Sequence, residues 1–135
     1  MRILLICITV MLSNFLFAQE KSTLTVLVEN IPNNKGEVLM GVFTENTFMK
    51  GAPNYSESLP ITNNKVKFVF ENVENGTYAA SCFQDSNGNQ TMDFEANGMP
   101  KESYGVSNNK MLMGPPTWEE SKFDVKRDTT IHIIM

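Results

Sequence analysis

Apolar side chains recur at every second position in six separate stretches of this chain, and that period is the strongest constraint on its fold. Leu24, Val26 and Val28 alternate with Thr25, Leu27 and Glu29. Val38, Met40 and Val42 alternate with Leu39, Gly41 and Phe43. Val66, Phe68 and Phe70 alternate with Lys65, Lys67, Val69 and Glu71, and Tyr78, Ala80 and Cys82 with Ala79, Ser81 and Phe83. Phe123 shares a face with Val125, as Ile131 does with Ile133 and Met135. Period-two patterning places alternate side chains on one face of a sheet. Turn-forming residues separate the runs at Pro32-Asn33-Asn34-Lys35-Gly36, Thr62-Asn63-Asn64, Glu74-Asn75-Gly76 and Arg127-Asp128. Short strands so spaced predict an all-β fold, an antiparallel sandwich with two sheets over one core. Residues 45–60 and 85–114 resist strand assignment and read as long connections, with a short helical turn expected at 45–49.

The first eighteen residues follow another rule. Arg2 precedes an apolar run from Ile3 to Leu12, and Ala18 stands just before Gln19 and Glu20. Positive charge, apolar run and small residue in that order predict a cleaved signal peptide over 1–18 and a domain over 19–135. Asn14 interrupts the run short of the about 20 residues that a bilayer span needs. Ile6 before Cys7 argues against a lipid anchor there. The expected destination is periplasmic or extracellular, with no stable membrane insertion after cleavage. Loss of Arg2 takes the formal net charge from −4 to −5, a poor match for a phosphate backbone, so no nucleic-acid partner is expected. Loss of Cys7 leaves Cys82 alone, and one cysteine makes no internal disulfide.

The densest local chemistry lies in 85–95. Oxygen-bearing side chains fall at Asp85, Asn87, Asn89 and Asp93, Thr91 offers a backbone carbonyl, and Glu95 adds a carboxylate. Ca²⁺ takes six to eight such oxygens, and Gly88 permits the positive φ of a tight loop. These six residues form the candidate calcium set. The spacing departs from an EF-hand: Gln90 stands where its glycine belongs, and Glu95 misses the closing glutamate position, which is Ala96. The alternative is a loop of Asx turns without an ion.

A longer pattern follows. The Asp85-x-Asn87-Gly88-Asn89 loop leads into Gly98-x-Pro100-x-Glu102-x-Tyr104-Gly105-x-Ser107-Asn108-Asn109, then Gly114-Pro115-Pro116 and Trp118-Glu119. With the preceding Phe68 to Tyr78, it resembles the domain of unknown function 2141 family of exported bacterial proteins. The resemblance covers nearly all of 19–135. It implies a single antiparallel β-sandwich, immunoglobulin-like or transthyretin-like, of about seven strands, and no established activity. Lys110-Met111-Leu112-Met113 departs from that pattern, where relatives would often carry a basic residue or glycine after Asn109.

Catalytic signatures are weak. His132 is the only histidine and reads as a sheet-surface residue, and Cys82 as a buried small side chain. No nucleophile elbow or phosphate-binding glycine loop occurs. The expected function is an exported, non-enzymatic binding or structural module, with a protein or glycan partner at the cell envelope. Glu102, Tyr104 and Trp118 are the candidate partner surface. Two rivals stand beside it: a small periplasmic hydrolase drawing on Asp85, Asp93, Glu95 and Glu102, and a copper handler using Met111 and Met113.

Overall fold

A computed structural model of the chain describes residues 20–135; the expected signal peptide, 1–18, lies outside the described residues. All six alternating runs are strands. In chain order the elements are β1 (Lys21–Glu29), β2 (Glu37–Phe43), β3 (Tyr55–Pro60), β4 (Val66–Glu74), β5 (Gly76–Asp85), β6 (Tyr104–Val106), a 3-10 turn (Ser107–Asn109), a single helical turn α1 (Trp118–Ser121), β7 (Phe123–Val125) and β8 (Thr129–Ile134). One sheet has the order β4-β1-β8; the other runs β3-β2-β5-β6, with β7 also on β5. Leu24, Val26 and Val28 of the first sheet and Val38, Met40, Val42, Ala80 and Cys82 of the second join Phe68, Phe70 and Ile133 in one buried cluster. The alternation therefore reports correctly which face of each strand is covered.

Two expectations need correction. Among the described residues there are eight strands, where about seven were expected, because β3 and β6 lie inside the segments read as connections. Nor is the pairing wholly antiparallel: β1 and β8 run parallel, from Leu24 opposite Thr129 to Glu29 opposite Ile134. The chain leaves β7 on one sheet and enters β8 on the other. That change of layer lets β8 lie along β1 without a helical crossover. At 45–50 the chain forms turns, closed by Phe48 N–H on the Thr44 carbonyl (2.9 Å) and Gly51 N–H on that of Thr47 (3.0 Å).

Strand β5 is the centre of its sheet. One edge pairs with β2. The other is shared, with β7 opposite Gly76–Tyr78 and β6 opposite Ser81–Phe83. Between them the hydroxyl of Ser107 accepts the Ala80 N–H (3.0 Å) and donates to the Ser121 carbonyl. A side chain thus supplies the missing rung. Asn108 donates to the carbonyls of Glu120 and Lys122 (3.0 and 2.9 Å). Asn109 bonds the β8 backbone at His132 and Ile134 (2.8 Å each). The Ser-Asn-Asn run therefore ties the 3-10 turn to α1 and to the edge of β8.

Candidate functional site: the loop after β5 and the sheet face beneath it

The polar loop begins where β5 ends. Gln84 is buried, and its Nε2 donates to the Asn33 Oδ1 (2.8 Å) and to the carbonyls of Asn33 (3.2 Å) and Lys35 (2.8 Å). This side chain fastens the β1–β2 loop to the end of β5. Gly36 completes the contact: its φ is +69°, and a Cβ there would stand 1.9 Å from the Asp85 carbonyl oxygen. Only glycine meets both conditions.

Asp85 is buried, and its carboxylate accepts the Gly88 N–H on Oδ1 (3.0 Å) and the Gln90 N–H on Oδ2 (2.8 Å). Gly88 and Gln90 both take positive φ, which turns these amides inward. Asp93 forms a second centre. Its Oδ2 accepts from Asn87 Nδ2 (2.6 Å), and both its oxygens accept from Asn89 Nδ2 (3.0 Å each). The two asparagines also make Asx turns: Asn87 Oδ1 takes the Asn89 N–H (3.2 Å), and Asn89 Oδ1 the Thr91 N–H (3.0 Å). Glu102 lies across the loop. Its two oxygens accept the backbone N–H groups of Ser86 and Asp93 (3.3 Å each). Lys101 N–H returns to the Asp93 carbonyl (2.8 Å).

The six candidate ligands are therefore unequal. Asn87, Asn89 and Asp93 meet directly; Asp85 faces the backbone of its own loop. Thr91 turns its hydroxyl to the Asn89 carbonyl (3.3 Å). The exposed Glu95 joins by its backbone, donating to Met99 (2.7 Å) and accepting from Gly98 (2.9 Å). Among the described residues no three His, Cys, Asp or Glu side chains stand together as a metal-holding group. The donors gathered around Asp93 are amides. Rotating either amide about χ2 would turn its oxygen toward Asp93 at the cost of the Asx turn which that oxygen makes.

The other expected residues scatter. Burial pushes the Cys82 thiol up to about 12, offset in part by a hydrogen bond with the Gly105 backbone. A buried thiol so strongly protonated is a packing group. The exposed His132 has its Nδ1 3.8 Å from Glu29 Oε2, on the outer face of the three-stranded sheet. Met111 and Met113 are 91% and 97% exposed. Of the candidate partner surface, Glu102 braces the loop, Tyr104 is exposed, and Trp118 packs on Phe48 with ring centroids 6.1 Å apart.

Sequence reading missed the face beneath the loop. The outer face of β2–β5–β6 is covered at one end by a small cluster of Phe48, Ala79 and Val106, backed by Phe43, Leu112 and Trp118. Beyond it opens a cavity of about 340 Å³, lined among others by Met49, Phe83, Met92, Phe94, Met99 and Tyr104. Met92, Phe94 and Met99 belong to the polar loop itself. Their spacing carries no period, and their convergence depends on how 86–103 folds back.

Neither a curated protein nor a solved structure matches the chain. A bacterial family described as "Uncharacterized protein conserved in bacteria (DUF2141)" matches residues 26–132. That span begins within β1, takes in the Asp85 loop and the Ser-Asn-Asn tie, and ends within β8, so the chain belongs to this family.

Proposed function

We propose that this protein is an exported, non-enzymatic binding module, a β-sandwich of the immunoglobulin-like or transthyretin-like kind. On this reading a loop ordered by Ca²⁺ frames its contact surface. One observation carries it: the polar residues of the motif are engaged in holding the loop. Asp85, Asn87, Asn89, Asp93 and Glu102 all bond within it. General acid–base work needs a carboxyl with a proton to give or a lone pair aimed at substrate. Carboxylates that accept N–H groups of their own loop act instead as positioning groups. A cation beside Asp93, Asn87 and Asn89 would replace amide-to-carboxylate bonds with stronger ionic ones and stiffen 86–103. A partner protein or glycan would then meet a prearranged surface. Extracellular modules bind Ca²⁺ at about 10⁻⁴–10⁻³ M, so modest affinity suffices.

Calorimetric titration tests the calcium arm. The expected result is one site in that range, a higher melting temperature with millimolar Ca²⁺, and loss of both in Asp93→Ala. Absence of heat and of any melting shift sinks it.

A further inference from the structure

We propose that the cavity between the 86–103 loop and the β5–β6 face is a binding site for a small, uncharged, predominantly hydrocarbon ligand. Five segments build it: Met49 from the β2–β3 connection, Phe83 from β5, Met92, Phe94 and Met99 from the loop, Tyr104 from β6, and the stretch just before α1. Pro115 and Pro116 complete the wall. Its volume, about 340 Å³, lies within the roughly 300–1,000 Å³ usual for small-molecule sites. That size and concavity suit a molecule held bodily, in preference to a flat protein face.

The charge pattern selects the ligand. Charged residues make up 19% of the chain, yet none lines this cavity. A charged ligand would lose its hydration there and gain no counter-ion. At the mouth Met49, Phe94 and Met99 are 61%, 57% and 61% exposed. Large apolar side chains gathered at a concave opening mark a contact surface. Unbranched thioethers at Met49, Met92 and Met99 adapt to differing ligand shapes, which suits an aliphatic or aromatic body over a rigidly complementary one.

This proposal rests on the binding reading above and is independent of calcium. Its test is fluorescence titration of the purified protein with N-phenylnaphthylamine, an uncharged aromatic probe that brightens in apolar surroundings. Two variants accompany it. Ser81→Trp places bulk on the cavity floor from the outer face of β5, and Met99→Glu places charge at an exposed position on the rim. The expected result is saturable one-to-one binding, weakened at least tenfold in both variants while their melting temperatures hold. Were Ser81→Trp to unfold, Met99→Glu alone decides. No saturable binding, or binding unchanged in a folded variant, overturns the proposal, as does probe uptake that tracks self-association in sedimentation. The titration is repeated in EDTA. Probe binding that survives where Ca²⁺ gives no heat removes the calcium arm and keeps the pocket; Ca²⁺ binding without probe binding does the reverse.

Discussion

Gly36, Asp85 and Cys82 show how much of this fold depends on single positions. At Gly36 a Cβ would meet both a left-handed φ and the Asp85 carbonyl at 1.9 Å. Gly36→Ala is therefore expected to cost at least about 2 kcal/mol in urea unfolding, beyond the about 1 kcal/mol of backbone strain alone. Asp85→Asn keeps the shape and removes one acceptor, setting an NH₂ against a backbone N–H. A loss of about 1–3 kcal/mol is expected, with faster amide exchange at Gly88 and Gln90. Cys82 gives a pH signature. Below its ordinary value of 9.0 the thiol is protonated in both states and adds no slope. Above it the unfolded chain releases a proton that the folded chain holds up to about 12. Stability should fall across pH 9–12, and Cys82→Ala should remove the part of that fall that begins near 9. Tyr78, also raised chiefly by burial, adds a later loss that the variant retains. None of the partners at Gly36 or Gln84 was legible in sequence, since the Gln84 bonds span 49 and 51 residues.

Among the elements, legibility followed burial. Strands β1, β2, β4, β5 and β8 each set one face against the core, and that contrast wrote the alternation. Strand β3 is an edge whose Tyr-Ser-Glu-Ser-Leu-Pro is exposed at four of six positions, so it carries no period to read. Strand β6 has three residues, too few to show one. It lies where Gly105 allows: a Cβ there would stand 2.4 Å from Ile133 Cγ2, so Gly105→Ala should overpack by about 1–3 kcal/mol. The polar rung at Ser107 was equally hidden, because its partners are 27 and 14 residues away. Ser107→Ala leaves a buried N–H at Ala80 and a carbonyl at Ser121 without their partner. An expected loss of about 1–3 kcal/mol, with faster exchange of the Ala80 amide, would mark it as structural. The loop was legible as a cluster of oxygens. Which oxygens meet depended on its path, and the cavity on where that path returns its methionines.

At the scale of the whole molecule, both sheets contribute to one core, so unfolding should be a single event. Trp118 lies outside that core, in the small cluster on the outer face. Far-ultraviolet dichroism and Trp118 fluorescence are expected to share one urea midpoint; separate midpoints would make the outer cluster an independent unit. Phe68, wholly buried at the centre, should cost about 3–5 kcal/mol as Phe68→Ala in the same assay. The parallel ladder of β1 and β8 has a kinetic side. Leu24 and Thr129 pair across more than a hundred residues of chain, so the three-stranded sheet closes by the longest loop in the molecule, after the local hairpins have formed. Until then β1 presents a bare hydrogen-bonding edge, a template for other strands. A chain still being synthesised carries that open edge until β8 emerges, so its window of greatest aggregation risk is set by the arrival of Thr129–Ile134.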